Sequence, residues 1–514
     1  MAYQESVRQE YIQSLVESLQ SERKLVLIGT AELGPVNVPT TIYNHQQAIR
    51  LFGENGSLIR AYQEMEPLLN ASPVCFIKTT GTHGILRLSL NQVGGDIVPG
   101  ALLLKTKGAC ELYNQIQIQL EPNAIHVTHP SALGGHVVSY DLTQYGVIGE
   151  LVAAINEDAT NDQVGLYAQC GVDELTPLYE PFYGCNPTLM SVSGASSELE
   201  VNKDFYYYCL EETYRILEGT DCHLIVPLDA YFTDILTSEA SYGQTSYGQV
   251  GYRQGDPLTL KKAGRRVSFY SQLLEFCQKQ FELGLFSHGI LGFNPTLDKQ
   301  DEALQLIANE SYRENLLSAW FTEQYHHVSV VVDTLYYNYF RSIDSAALAY
   351  AAFLHTVDWA KPLTNTPLHA GLSLVHPLSR HIQQSLNQKG FVTFKESLLH
   401  DHQLVVTRAT TLNPQPGGLS HFYNLRMCQI TVSGLNRLVD SYLGWHLDEL
   451  TKHHRIEKEM EYYLEQLKNI GWITESSANV EVSKTTGEIV INLTIKTAYM
   501  VEAIKLNGNI EIAT

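Results

Sequence analysis

No Cys-x-x-Cys pair occurs in this chain: Cys75, Cys110, Cys170, Cys185, Cys209, Cys222, Cys277 and Cys428 stand apart over 514 residues. Such spacing signals no disulfide framework and reads as buried thiols serving as small hydrophobes. No apolar run approaches the roughly 20 residues that span a bilayer. The opening MAYQESVRQE also lacks the basic-then-apolar plan of a secretory signal, so the expectation is a protein soluble and intracellular when made. Cations are short as well. With 34 Lys+Arg against 55 Asp+Glu the formal charge is -21, so neither nucleic acid nor an anionic membrane is an expected partner.

The usual catalytic signatures are missing too. There is no His-Glu-x-x-His helix, no Gly-x-Ser-x-Gly elbow, no P-loop and no Gly-x-Gly-x-x-Gly. The turn Gly29 to Pro35 follows an apolar strand, but Glu32 opposes an anion there and the lysine of a phosphate cradle is absent. His326-His327 and His453-His454, with His400 and His402, do not make a metal set, because adjacent residues point to different sides of a helix or strand. They read as solvated or core-edge histidines. Asp221, Asp229, Asp333 and Asp358 sit near the ends of predicted strands, where catalytic carboxylates occur but where turns and caps use Asp just as often. No catalytic, cofactor-binding or metal residue is assigned, and no cofactor is called for.

What is present is globular: 44% hydrophobic and 17% charged residues, in a length that implies roughly three domains. Tyrosine is abundant, 30 residues against 4 tryptophans; its apolar body and polar tip suit extensive subunit interfaces. Two basic stretches stand out. Lys261, Lys262, Arg265 and Arg266 read as a solvated helix start or as a contact for an acidic neighbour, and Lys452, His453, His454, Arg455 and Lys458 precede acidic Glu459, Glu461 and Glu465.

Periodicity gives the elements. Val7, Tyr11, Leu15, Val16 and Leu19 share helical spacing, and residues 25–35 form an apolar strand ending in a Gly-Pro turn. HQQAIRLFG and SLIRAYQEMEPLL are helical, VCFIKTT is the next strand, and the two strands should pair in one sheet. From Thr82 to about Pro177 short alternating runs such as ILRLSL, IQIQL and HVVSYDL predict a β-rich insertion. Strands and helices alternate again from 203 to 350, interrupted by Ser238 to Asp256, whose repeated Ser-Tyr-Gly-Gln predicts a long exposed loop. After the Ala-rich helix AALAYAAFLHTV come a helix ending at Gly390, a strand, the strand QLVVTRATTL, and a long helical section from LRMCQITV through Gln466. The end is β: Ile489, Ile491, Leu493 and Ile495 alternate with Val490, Asn492, Thr494 and Lys496. The fold class is α/β (α+β) and multidomain, divided as an N-terminal helix or arm at 1–22, the first part of an α/β core at 23–81, a β-rich insertion at 82–200, a middle α/β domain at 201–350 and a C-terminal inner domain at 351–514.

This order resembles the contractile tail sheath family of phages, R-type bacteriocins and related injection systems. The N-terminal resemblance lies in LIGTAELGPVNVPTTIYNHQQAIRLFG followed by SLIRAYQEM. The C-terminal one runs from the Ala-rich helix and KPLTNTPL through LNQKGFVTFKE and VVTRATTL to LEQLKNIGWI and the final β region. It covers about 80 residues at one end and 170 at the other. The initial helix departs from the extended arm with which such proteins commonly begin.

The resemblance implies a non-enzymatic virion subunit, assembled in the host cytoplasm. It implies a helical homopolymer of stacked rings around the tail tube protein, with baseplate and tail terminator proteins as further partners. Terminal segments of such subunits add as strands to a neighbour's sheet, because main-chain hydrogen bonds form whatever the side chains are. On that basis the strand donor is Ala503 to Ile512, with Ile504, Leu506, Ile510 and Ile512 as inward anchors, and the tube-facing contact is Lys452, Arg455 and Lys458. Contraction would be a passage between two packings, from a kinetically trapped extended state. Competing readings are a baseplate or other tail part, and a cytosolic α/β enzyme with its site near Asp229 or Asp333.

Overall fold

A computed structural model describes residues 2–21, 24–91, 97–131, 135–158, 165–178, 188–199, 203–232, 265–294, 327–358, 361, 363–368, 371–412, 420–442, 455–483 and 488–497. The loop at Ser238 to Asp256, Lys261, Lys262, His326, His453 and His454 lie outside these residues, as do the side chains of Arg265 and Arg266.

The chain opens with α1 (Ala2–Ser21). Ile12, Leu15, Val16 and Leu19 are buried at the i, i+3, i+4, i+7 spacing of one helix face, whereas Tyr11 lies at the stripe's exposed border. Next come β1 (Leu25–Gly29), β2 (Thr40–Ile42), α2 (His45–Phe52), α3 (Ser57–Met65) and β3 (Val74–Lys78). The Asn44 side chain caps α2 by accepting from the Gln47 amide at 2.9 Å. β1 and β3 run parallel, as expected of that unit, and β2 adds antiparallel to the edge.

The insertion follows with β4 (Ile85–Asn91), β5 (Ile97–Thr106), β6 (Gln117–Glu121), β7 (Ala124–Thr128), β8 (Val137–Asp141), α4 (Ile148–Glu157), β9 (Leu166–Cys170) and β10 (Thr188–Ser191). Its strands form two antiparallel sheets, β4-β5-β9 and β10-β6-β7-β8, around a core of their own. In β6 the alternation is visible: Ile118 and Leu120 are buried while Gln117 is exposed. Lys78 fastens this body to the core. Fully buried at the end of β3, it donates through Nζ to the Ala109 carbonyl at 2.5 Å, and the Ala109 amide donates to Gly34 O at 3.1 Å.

The remainder gives α5 (Lys203–Leu217), β11 (Leu224–Pro227), α6 (Arg265–Glu282), β12 (His288–Leu291), β13 (Val328–Val331), β14 (Thr334–Tyr337), β15 (Ser342–Ser345), α7 (Ala346–Thr356), β16 (Leu372–Leu374), α8 (Arg380–Gln388), β17 (Phe391–Val392), β18 (Phe394–Ser397), β19 (Gln403–Val406), α9 (Phe422–Asp440), α10 (Arg455–Asn469), β20 (Ile473–Ser483) and β21 (Glu488–Thr497). Seven strands make the main sheet in the order β17-β13-β12-β11-β1-β3-β2, parallel except for β2. Its inner strand β1 is apolar throughout because both faces are covered. Leu25 and Leu27 enter one core with α3 and the wholly buried α7, whereas Val26 and Ile28 enter a second core with α5, α6 and α8.

One local reading is corrected. By its pattern alone HHVSVVVDTLYY reads as one strand, but it is two, β13 and β14. The chain breaks at Asp333, whose carboxylate accepts the Phe394 amide at 2.6 Å and whose carbonyl accepts the Ala346 amide at 3.0 Å. In the long helical section the described residues give α9, which ends at Asp440, and α10 from Arg455, while 443–454 lie outside them.

Candidate functional site: an open-edged C-terminal ribbon

Among the described residues β20 and β21 pair only with each other, antiparallel from Ile473 with Thr497 to Ser483 with Glu488, with an irregularity between Ile473 and Glu475. The alternation read in the sequence holds along the described part: Ile491, Leu493 and Ile495 face the core with Ala478 and Val480, while Val490, Asn492, Thr494 and Lys496 face outward. One end is anchored by the Thr497 hydroxyl, which bonds Asn424 Oδ1 on α9 at 3.0 Å. A two-stranded ribbon is marginal by itself. Here its apolar face is only half covered, and neither long edge has a strand partner among the described residues. An open edge is a row of unpaired main-chain donors and acceptors, a template for strand addition.

The assigned donor residues Ile504, Leu506, Ile510 and Ile512, and the Asn507-Gly508 turn, lie outside the described residues, as does Lys452. Arg455 and Lys458 stand one turn apart on α10. Arg455 bonds Glu459 through Nε at 2.9 Å, and Glu459 also accepts the Tyr442 hydroxyl; Lys458 is exposed. α1 packs within its own chain through Ile12, Leu15, Val16 and Leu19, against α9 and α10.

The strand order reverses between β1 and β11, the crevice where open parallel sheets commonly bind ligands. Protein fills it here. The Thr30 amide donates to Ser57 Oγ at 2.9 Å, and a Cβ added to Gly29 would lie 2.4 Å from that oxygen. Arg60 Nη2 meets Asp229 Oδ1 at 2.6 Å and its Nε approaches Asp344 Oδ2 at 3.6 Å. Behind them Glu64 lies within hydrogen-bonding reach of Asp344, and burial, then the neighbouring carboxylate, raises Glu64 well above the ordinary range. Asp333 is raised to about 7 by burial, against the pull of its Phe394 bond. Asp221 is within 3.5 Å of Lys24 and 3.7 Å of His223. His327 is a core residue between Gln278 and Gln429, and His402 lies 3.9 Å from Glu396. Among the described residues no group of three His, Cys, Asp or Glu could hold a metal ion, and no helix is long and apolar enough to cross a membrane.

No family model and no curated protein sequence matches the chain. Solved structures do. The sheath tail protein Lin1278 of Listeria innocua aligns over 95% of each chain with TM-score 0.54 at 11% identity. The fold is a tail-sheath fold. A sheath tail protein of Desulfitobacterium hafniense aligns over 93% of this chain and 97% of its own, with TM-score 0.47 and 13% identity. The helical sheath of the anti-feeding prophage in its contracted state aligns over 95% and 92%, with TM-score 0.49 and 10% identity.

Proposed function

We propose that the chain is the sheath subunit of a contractile tail or tail-like injection particle, a non-enzymatic protein that polymerises around a tube and contracts to drive it through a host envelope. The observation that carries this reading is the β20–β21 ribbon, a sheet with no third strand among the described residues, in a chain whose fold matches a sheath tail protein along nearly its full length. The tail Ala503 to Ile512 would complete that sheet in the next copy, with Ile504, Leu506, Ile510 and Ile512 continuing the apolar face. The partners are other copies, the tube protein through Lys452, Arg455 and Lys458, and baseplate and terminator proteins at the ends. The division at 22, 81, 200 and 350 then separates an inner polymerising body, built from both ends of the chain, from outward parts.

The filled crevice supports the same reading over the enzyme. Asp229 is engaged by Arg60, and Asp333 is buried against the Phe394 amide. The test is deletion of Ala503 to Thr514. The truncated subunit should keep the wild-type melting transition and fail to form tubes or rings by negative-stain microscopy; tubes of normal length from the truncated chain overturn the strand-donor assignment.

A further inference from the structure

The most exposed large apolar side chains among the described residues are Leu398 and Leu399, 83% and 92% exposed at the tip of the β18–β19 hairpin. The body of that hairpin is buried at Phe394, Leu404 and Val406, so only its tip faces water. The turn holds the pair outward: Leu398 to His400 form a single helical turn, Asp401 and His402 take left-handed φ of 49° and 61°, and the His402 amide closes onto Ser397 O at 3.0 Å.

A second apolar tip lies beside it. The β14–β15 hairpin exposes Tyr339, Phe340 and Ile343, and it too turns on a left-handed residue, Arg341 with φ 53°. One stretch of backbone links the two hairpins, since the Leu368 amide donates to Leu404 O at 2.7 Å in β19 while Gly371 O accepts the Asn338 amide at 3.0 Å beside the second tip. Three residues of chain span at most about 10 Å. The ring of Tyr339 lies against Gly371, where a Cβ would come within 2.5 Å of it. A protein rarely leaves two adjacent leucines and a neighbouring aromatic pair in water unless something covers them.

We propose that these two tips form one docking surface for a second copy of this chain; the proposal rests on the sheath reading and names a contact within it other than strand addition. Charge selects the occupant. Each copy carries -21, so copies repel at most of their surface, whereas at the tips Arg341 and Lys395 balance Glu396 and Asp401. The tips are therefore apolar and electrically neutral ground on an acidic molecule, where two copies approach with least repulsion. They lack the excess of cations that would draw a polyanion instead.

The test is the full-length chain carrying Leu398→Glu with Leu399→Glu, beside Leu398→Ser with Leu399→Ser, which removes apolar surface without adding charge. Neither should change the monomer's melting transition, because the side chains project from a turn. Both should raise the critical concentration for assembly by about tenfold or more, read by sedimentation and negative-stain microscopy. Wild-type tubes together with unchanged tubes from both variants overturn the tips and leave the sheath reading standing, including where a variant loses another partner instead. If the wild type forms no tubes the sheath reading falls, and sedimentation equilibrium then decides the tips separately: equal mass distributions for wild type and variants overturn them.

Discussion

At Arg60 a single guanidinium serves two carboxylates, Asp229 and Asp344, while Glu64 stands behind Asp344 with one carboxylate oxygen buried and unbonded. Three acids share one cation, and two of them, Glu64 and Asp344, are buried side by side, so one of that pair keeps a proton. Asp344 has the guanidinium and the Ser345 amide at 2.6 Å, which leaves the proton on Glu64. Its folded pKa is raised above the unfolded value, so the folded state holds a proton that the unfolded chain has released. The stability this contributes is complete below the unfolded carboxylate pKa and is lost as pH rises through the raised value. Glu64→Gln keeps a donor facing Asp344 and cannot ionise. It should melt with the wild type at about pH 4.5 and above it at about pH 9, the gap opening as pH increases. A gap that stays constant across that range would mean that Glu64 binds its proton equally in the folded and the unfolded chain. Lys78 works in the opposite direction, since burial lowers it to about 8 and its deprotonation above that pH recovers stability. The comparison of variant with wild type isolates the carboxyl from the lysine.

At the scale of elements, α1 is held by its apolar stripe and by one small residue across from it. A Cβ at Gly434 on α9 would lie 2.0 Å from the Tyr463 hydroxyl and 2.7 Å from Leu19 Cδ1, so the three helices approach as closely as they do only with glycine there. Gly434→Val should cost about 1–3 kcal/mol by overpacking and loosen α1 before the rest, read as faster protease cleavage within α1 than in the wild type. Unchanged cleavage at a lowered melting temperature would place the strain elsewhere. The stripe was legible in the sequence because a helix repeats its face every 3.6 residues, and the ribbon because a strand repeats every two. The break between β13 and β14 was not. A run of valines serves one long strand or two short ones equally well, and what decides it is Asp333 meeting the Phe394 amide, a partner 61 residues away that no local pattern announces. The filling of the β1–β11 crevice was hidden for the same reason: Arg60, Asp229 and Asp344 come from three separated segments, and nothing near any of them marks the other two. The apolar tips were present as Leu-Leu and Tyr-Phe, but such pairs are core residues as often as exposed ones, and only the turn geometry shows which.

For the whole molecule the proposed assembly must answer what would hold together copies with a charge of -21. If the contacts were mainly ion pairs, added salt would screen them and dissolve the polymer. The ribbon and the hairpin tips argue for main-chain hydrogen bonds and apolar contact, which salt does not weaken in that way, opposed by a long-range repulsion that salt does weaken. The Debye length falls from about 10 Å at 0.1 M to about 3 Å at 1 M, so the repulsion between neighbouring acidic surfaces fades while a completed sheet and covered leucines keep their strength. Raising sodium chloride from about 0.05 to about 0.5 M should therefore lower the critical concentration for assembly, measured by light scattering with microscopy to verify tubes. Polymer that dissolves over that range would instead assign the cohesion to charge pairs such as those open to Lys458, and would demote both strand completion and the tips to secondary contacts.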